Sequence, residues 1–166
     1  MKCLAISGRA IANIFKKRYS KKPINKKDLR KYKLYPIPSL TVDGILEMNK
    51  KILLIKRKNN PYKDFYALPG GFVECGETLE EAIIREIKEE TNLDVEVESL
   101  FNVYSSPNRD PRGHIVTVVY ILKCIGGELK AKTDAKDVKF FDINNLPKLA
   151  FDHEKIINDY IRWKYG

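Results

Sequence analysis

Residues 71–93 of the chain read GFVECGETLEEAIIREIKEETNL, a stretch that holds seven glutamates in 23 residues. Thr78 followed by Glu81 fits a capping box, which predicts a helix that starts just after Gly76 and ends at about Thr91. At 3.6 residues per turn, one side of this helix is apolar. The neighbouring side carries three carboxylates at positions i, i+3 and i+4, which are Glu86, Glu89 and Glu90. The helix is therefore expected to bury one face and to hold three carboxylates along its edge.

This carboxylate cluster calls for a positive partner. Like charges at helical spacing repel one another, and each carboxylate loses hydration near a buried face. Clustered carboxylate oxygens without soft ligands suit Mg²⁺ or Mn²⁺, and Mg²⁺ is usually shared with substrate phosphates. Gly70 and Gly71 precede the helix and would let a ligand approach the backbone. The stretch thus favours a metal site for phosphate chemistry, although composition alone leaves open a helix whose glutamates are simply solvated.

The same stretch resembles the Nudix box, whose pattern is Gly-x5-Glu-x7-Arg-Glu-U-x-Glu-Glu-x-Gly-U, where U is aliphatic. The matching positions are Gly71, Glu77, Arg85, Glu86, Ile87, Glu89, Glu90 and Leu93. The last glycine is replaced by Asn92, and asparagine is the best substitute for glycine in a left-handed helix C-cap, so we expect the turn to survive. The resemblance implies an α/β fold, namely the Nudix-type α/β/α sandwich with a mixed β-sheet.

The resemblance also implies an activity, the hydrolysis of a nucleoside diphosphate linked to another group, by attack of water on phosphorus. The implied cofactor is Mg²⁺ or Mn²⁺, and the implied metal ligands are Gly71 through its carbonyl, Glu77, Glu86, Glu89 and Glu90. Glu77 would bind a further metal or pair with Arg85. We expect Arg85 to orient the glutamates rather than to touch the substrate.

Residues outside the box complete the candidate site. The family often takes its general base from a loop before a late strand. The candidates there are Asp134, which is placed best, Asp137 and Glu128, and Glu89 or Glu90 could activate the water instead. The candidate substrate contacts are Arg57, Arg109, Arg112 and Phe72. We expect either Arg109 or Arg112 to meet the substrate, because both lie in a loop whose prolines limit its freedom, and we expect His114 of the same loop to be structural.

The segment SSPNRDPRG at 105–113 indicates the substrate class. It resembles the corresponding segment of ADP-ribose pyrophosphatases, which carry a proline at a similar distance past the box, and Pro107 lies 14 residues beyond Leu93. The resemblance then implies that ADP-ribose is cut to AMP and ribose 5-phosphate. The alternatives are an oxidised nucleoside triphosphate, NADH or capped RNA as substrate, or a non-catalytic module that senses ADP-ribose.

The net charge of +9 is concentrated at the N-terminus. Residues 1–35 contain 12 lysines and arginines against one acid, whereas residues 36–166 contain 19 against 21. We therefore predict a basic N-terminal extension over 1–35 and a single Nudix hydrolase domain over 36–166. The extension could pack as an amphipathic helix, contact nucleic acid or an anionic surface, or act as a targeting peptide. The near-neutral domain argues against a nucleic-acid groove on the domain itself.

The remaining pattern indicates the fold and the compartment. Apolar runs predict strands at 40–48, 51–56, 95–104, 115–125 and 138–143, with a hairpin at Asn49-Lys50 and a second helix capped by Asp152. Three cysteines in no ligand pattern indicate reduced thiols in a cytoplasmic protein. No apolar run reaches transmembrane length. A homodimer is a further expectation, because homodimers are common among similar enzymes.

Overall fold

A computed structural model of the chain describes residues 37–131 and 135–166. These residues form β1 (Ser39–Met48), β2 (Lys51–Arg57), β3 (Tyr66–Ala67), β4 (Gly70–Phe72), α1 (Leu79–Thr91), β5 (Leu93–Tyr104), β6 (Ile115–Gly127), β7 (Ala135–Asp142) and α2 (His153–Tyr165). Neither helix of this described part is both long enough and apolar enough to cross a membrane. The predicted extension at 1–35 and the candidate base Asp134 lie outside the described residues.

Strand β1 lies at the centre of a mixed sheet with the order β3-β2-β1-β6-β5. β1 and β6 run parallel from the pair Ser39 and Ile115 to the pair Leu46 and Leu122, whereas the other paired strands are antiparallel. β4 pairs with the first half of β1, and β7 pairs with β2. The short strand β4 therefore fixes the two glycines before the box helix against the central strand.

The two helices take part in two separate buried clusters. Ile83 and Ile87 of α1 are fully buried in a cluster that includes Val42 of β1. Ile156 of α2 is fully buried in a second cluster that includes Ile45 of β1. Because alternate side chains of a strand point to opposite faces, a separation of three residues places Val42 and Ile45 on different faces of the sheet. The predicted α/β/α sandwich with a mixed sheet is confirmed.

Helix α1 has both of its predicted caps. Thr78 Oγ1 accepts a hydrogen bond from Glu81 N at 3.2 Å, and a Glu81 carboxylate oxygen accepts one from Thr78 N at 2.7 Å. At the other end Asn92 is left-handed, with a φ of 63°, and its N–H donates to Lys88 O. The predicted capping box is therefore confirmed, and so is the prediction that the left-handed turn survives with Asn92 in place of glycine.

The other elements agree with the sequence in most places. The hairpin is confirmed, with positive φ at Asn49 and Lys50 as a type I′ turn requires. All five predicted strands are found, but β3 and β4 were not predicted, because strands of two and three residues carry no periodic signal. The prediction for Asp152 was wrong in one respect. Asp152 precedes α2 but forms no side-chain capping bond within the described chain, because its carboxylate binds Arg109.

Candidate active site

A cavity of about 390 Å³ brings together residues from distant parts of the sequence. Of the predicted site residues, those that line it are Gly71, Glu86, Glu90, Arg57, Arg109, Arg112 and Phe72. Three other box residues, Glu77, Arg85 and Glu89, are not among the described residues of its lining. The cavity therefore combines one end of the carboxylate cluster with most of the predicted substrate contacts.

Arg85 is the cation at the centre of the box. Its Nε and Nη2 donate to the two carboxylate oxygens of Glu77 at 3.0 and 2.7 Å. Its Nη1 donates to Glu86 at 2.8 Å and lies 3.6 Å from Glu89, and Nη2 also donates to Phe72 O at 3.2 Å. The hydrogen bonds from Arg85 lower the pKa of Glu77, whereas burial raises the pKa of Glu86. Glu77 is therefore paired with Arg85 in this structure, and its role as a ligand of a further metal ion stays a prediction.

Two glycines let the backbone of β4 lie against the carboxylates of α1. Gly70 N donates to Glu90 Oε2 at 3.0 Å. A Cβ on Gly71 would collide with the Glu86 carboxylate, with Cδ at 2.5 Å and Oε2 at 2.7 Å. A Cβ on Gly70 would lie 2.8 Å from the Cα of Asp43, and Gly70 also has a φ of +155°. Side chains at either position would therefore push the carboxylates and the backbone apart.

The carboxylates of the box suit a divalent metal ion in chemical type, but they are not already grouped around one point. Over residues 37–131 and 135–166, no three His, Cys, Asp or Glu side chains are grouped as ready-made ligands of one ion. Glu86 and Glu89 face Arg85, and Glu90 faces the Gly70 N–H. The donors nevertheless fit a hard divalent ion, because carboxylate and carbonyl oxygens are the ligands that Mg²⁺ and Mn²⁺ prefer, and Gly71 leaves the Glu86 carboxylate its space. The metal ligands stay a prediction.

Guanidinium groups and aromatic rings form another part of the lining. The Arg112 guanidinium lies 5.3 Å from the ring centroid of Phe72 and 5.2 Å from that of Phe151. The Arg57 guanidinium lies 4.7 Å from the Phe151 centroid. Burial lowers the pKa of Arg57, and the nearby charge of Arg112 lowers it further. Two guanidinium groups therefore lie beside the same Phe151 ring, and both are candidates for binding a phosphate.

The structure distinguishes the two arginines of the 105–113 loop. Arg109 donates to both carboxylate oxygens of Asp152, at 2.9 and 2.6 Å, and its side chain is only 4% exposed. Arg112 pairs with Asp110 at 2.7 Å, but its side chain is 39% exposed. Arg112 is therefore the one that a substrate can reach, while Arg109 ties the loop to the start of α2.

Two other predicted candidates lie away from the cavity. His114 is exposed, contacts Ser105 O at 3.2 Å and is not one of the described lining residues, so its structural role stays a prediction. Asp137 pairs with Lys139 at 2.6 Å and accepts a hydrogen bond from Tyr66. The described lining does not include Asp137 either, which makes it a weak rival for the role of general base.

Among the lining residues that were not predicted from the sequence, Asp43, Phe151 and His153 matter most for the geometry of the site. Asp43 is buried and its Oδ2 accepts a hydrogen bond from Thr117 Oγ1 at 2.6 Å, while its Oδ1 lies 3.8 Å from His153 Nε2. Phe151 has a φ of 54°, which is unusual for a bulky residue. An acid inside the apolar run TVDGIL was the one available signal. Nothing in the local sequence distinguishes Phe151 or His153.

Comparisons with known proteins agree with this arrangement. The family model of the NUDIX domain matches residues 38–163. An ADP-ribose pyrophosphatase of Methanocaldococcus jannaschii is 68% identical over 166 residues, which is 99% of this chain and 98% of the relative. The crystal structure of the NUDIX domain of Shewanella oneidensis NrtR, complexed with ADP ribose, is 26% identical, with a TM-score of 0.69 over 84% of this chain and 99% of that one.

A second solved structure is that of a larger protein. It is a bifunctional NMN adenylyltransferase/ADP ribose pyrophosphatase from Francisella tularensis, complexed with AMP and a Mn ion. It is 32% identical to this chain, with a TM-score of 0.70 over 92% of this chain. Because the match covers 47% of the Francisella protein, this chain spans less than half of its length.

Proposed function

The chain belongs to the Nudix family, and on that premise we propose that it is a divalent-metal-dependent pyrophosphohydrolase that cleaves ADP-ribose to AMP and ribose 5-phosphate. The observation that carries the proposal is the single cavity in which Glu86 and Glu90 of the box meet the guanidinium groups of Arg57 and Arg112. Acidic groups that suit metal ions and basic groups that suit phosphates are what a pyrophosphate substrate requires. The 68% identity to an ADP-ribose pyrophosphatase supports the choice of substrate.

The reaction replaces one bond of the pyrophosphate. A water oxygen forms a bond to one phosphorus, the bridging P–O bond breaks, and the proton of the water passes to a base. Glu86, Glu89 and Glu90, with Glu77 and the Gly71 carbonyl, would hold Mg²⁺ or Mn²⁺. Such an ion, when bound, supplies neutralisation of the pyrophosphate charge and a more acidic water.

The contribution of the chain's own residues is positioning. Arg85 holds the carboxylates of Glu77 and Glu86 by hydrogen bonds of 2.7 to 3.0 Å, so the box is oriented before the substrate arrives. The Gly70 N–H orients Glu90 in the same way. Preorganised groups of this kind cost no reorganisation at the moment of reaction, which is why they lower the barrier.

We assign substrate recognition to the arginines and the aromatic rings. Arg57 and Arg112 would neutralise phosphate oxygens that the metal ion leaves uncovered. Phe72 is 43% exposed and Phe151 lies beside both arginines, so a nucleobase could stack on either ring. Arg109, which the sequence also suggested, acts in this proposal by holding the loop that carries Arg112.

Several assignments stand as proposals on the sequence alone. Asp134 is the proposed general base, with Glu89 or Glu90 as the alternatives. Residues 1–35 are proposed as a basic extension separate from the hydrolase domain at 36–166. We also propose a cytoplasmic location and a homodimer. Light scattering on the purified full-length chain measures the oligomeric state directly.

The test is a hydrolysis screen on the purified full-length chain. ADP-ribose, NADH, an oxidised nucleoside triphosphate and capped RNA are each incubated with Mg²⁺, with Mn²⁺ or with EDTA, and the products are separated by chromatography. Repeating the reaction in ¹⁸O-labelled water identifies the attacked phosphorus, because the label enters either AMP or ribose 5-phosphate. We expect AMP and ribose 5-phosphate only when a divalent ion is present. Intact ADP-ribose with both ions would contradict the proposal.

The charge of the extension favours a second candidate, hydrolysis of capped RNA. Twelve lysines and arginines in residues 1–35 could hold a polyanion while the domain acts on its end. Deletion of residues 1–35 separates the two functions. If cleavage of capped RNA is lost while turnover of ADP-ribose is retained, the extension serves nucleic acid. If both activities are unchanged, the extension has no role in holding the RNA. If the full-length chain leaves capped RNA intact, the second candidate is excluded.

A further inference from the structure

Side chains of both helices hold the segment Leu68–Gly70, which joins β3 to β4. Leu68 N donates to His153 Nδ1 at 2.9 Å, Pro69 has no N–H, and Gly70 N donates to Glu90 Oε2 at 3.0 Å. Both N–H groups of the segment are therefore taken by side chains, one from α2 and one from α1. His153 therefore holds this backbone by a direct hydrogen bond, just as Glu90 of the box does.

The surroundings of His153 fix its tautomer. The side chain is 5% exposed, and because Nδ1 accepts the Leu68 N–H, the ring proton must lie on Nε2. Nε2 faces Asp43 Oδ1 at 3.8 Å, and the other oxygen of Asp43 accepts from Thr117 Oγ1. Burial lowers the pKa of His153, which keeps the ring neutral. A neutral ring of one tautomer is what the Leu68 bond requires.

The rest of the segment has little freedom to compensate. Pro69 O accepts a hydrogen bond from Gly44 N of β1 at 2.9 Å, and Leu68 is only 2% exposed. If His153 no longer accepted the Leu68 N–H, a buried donor would be left without its partner, which proteins avoid. The backbone would have to shift to find another acceptor. Gly70 and Gly71 directly follow, and they lie against Glu90 and Glu86.

We propose that His153 is a positioning residue of the hydrolase, which acts through the Leu68 N–H to set Gly70 and Gly71 against the carboxylates of Glu90 and Glu86. It does not touch the reacting atoms. The inference rests on the proposed role of these carboxylates as metal ligands. It makes the start of α2 part of the metal-binding apparatus, although α2 contributes no ligand to that proposed set.

The test compares two amide substitutions of His153 in the full-length protein. His153→Asn keeps an acceptor at the place of Nδ1, whereas His153→Gln places its amide near Nε2, towards Asp43. The probe is Mn²⁺ alone, and its dissociation constant is measured from the EPR signal of the free ion. Loss of a group that is hydrogen-bonded directly to a metal ligand costs about 10–100-fold in metal affinity. Because His153 acts one step further out, through the backbone, we expect the lower end of that range, about tenfold weaker Mn²⁺ binding, in His153→Gln. We expect His153→Asn to bind within about threefold of the unsubstituted protein.

Amide hydrogen exchange gives a readout that is independent of turnover. Exchange at Gly70 should be at least about tenfold faster in His153→Gln than in His153→Asn, because the Leu68 anchor is lost. Tyr160→Phe is the control for general destabilisation. It removes a hydrogen bond between buried Tyr160 of α2 and Glu47, without touching the segment. We expect this control to lose stability without any change in Mn²⁺ affinity or in Gly70 exchange.

The outcomes separate this inference from the proposed function. Equal Mn²⁺ affinity and equal Gly70 exchange in the two amide variants would overturn the inference, whatever the activity. A protein that binds Mn²⁺ with the expected pattern but leaves ADP-ribose intact would overturn only the proposed substrate. If His153→Gln does not fold, ¹H–¹⁵N NMR of the unsubstituted protein decides instead. A proton found on Nδ1 of His153 would exclude the Leu68 bond and overturn the inference.

Discussion

Replacement of Gly71 by alanine separates the stability of the domain from its chemistry. Gly71 is not one of the described glycines with a positive φ, so alanine can adopt its backbone conformation. The new Cβ would lie 2.5 Å from Cδ and 2.7 Å from Oε2 of Glu86. Carbon atoms in contact are ordinarily about 3.5–4.0 Å apart, so the carboxylate must move by roughly 1 Å or more. The clash is with the end of a flexible side chain, which can swing away.

The two consequences of this movement differ in size. The movement breaks the 2.8 Å hydrogen bond between Arg85 and Glu86, whose side chains are 25% and 15% exposed. A hydrogen bond to a charged group contributes about 1.5–3 kcal/mol, and solvent screening at this exposure reduces that to about 1 kcal/mol of unfolding free energy. Displacing Glu86 as a proposed metal ligand should cost more. We expect kcat/KM to fall by about 100-fold, equivalent to about 2.7 kcal/mol of transition-state stabilisation.

Urea unfolding and the Mn²⁺-dependent hydrolysis of ADP-ribose measure the two effects in the same preparation. Gly126→Ala is the matched control, because its Cβ would meet Asp94 at an ordinary 3.7 Å and should change neither quantity. Gly70→Ala should instead unfold the domain, since its Cβ would collide with the backbone of β1. If Gly71→Ala retained full kcat/KM, the position of Glu86 beside Gly71 would have no role in turnover and our reasoning would be refuted.

Three further predictions concern other parts of the molecule. Glu89→Gln and Glu90→Gln should each reduce Mn²⁺-dependent turnover below detection while circular dichroism shows a folded protein. The control Glu98→Gln, which alters an exposed carboxylate of β5, should leave turnover unchanged. Normal turnover in either box variant would contradict the proposed role of that glutamate. Arg112→Lys should raise the KM for ADP-ribose by about tenfold with kcat kept, because lysine loses the planar contacts with aromatic rings. Arg109→Lys should lower the unfolding free energy by roughly 2 kcal/mol and should raise KM much less than Arg112→Lys does, because Arg109 acts on the substrate only through the loop. The reverse pattern in steady-state kinetics would exchange the two roles. Burial alone would raise the pKa of Glu47, but hydrogen bonds from three α2 side chains lower this pKa below the usual 4.5. Ionised Glu47 therefore contributes stability above pH 4.5, and this contribution is lost as the pH falls through the lowered pKa. Chemical unfolding between pH 6 and pH 3 should therefore show a weaker acid dependence in Glu47→Gln, and an unchanged slope would count against the shift.

The box helix could be predicted from the sequence because its signals are local. Thr78 and Glu81 lie three residues apart, and Asn92 ends the helix one position after Thr91, so each cap is specified within a few residues. The long strands were predicted for the same reason, since each carries its own apolar run. β3 and β4 have no such signal, and they exist only because β2 and β1 offer partners in three dimensions.

The part of the cavity that lies outside the box is specified by contacts between residues that are far apart in the sequence. Leu68 and His153 are 85 residues apart in the chain, and Arg109 and Asp152 are separated by 43. A capping interpretation of Asp152 was reasonable from its position before α2, but a buried guanidinium competes better for the carboxylate than an exposed helix end does. A local sequence pattern shows which residue types are neighbours in the chain. It does not show which distant arginine will pair with a given carboxylate in the folded protein.

The three consecutive residues Phe151, Asp152 and His153 show why this part of the site escaped notice. One ring lies beside Arg57 and Arg112, the next carboxylate fixes Arg109, and the imidazole holds the backbone before the box. The three contacts join α2 and the two residues before it to different residues of the cavity lining, and the backbone at Phe151 is left-handed. The carboxylates that define the family can therefore be read from one helix, whereas in our proposal their geometry also depends on the start of the other helix.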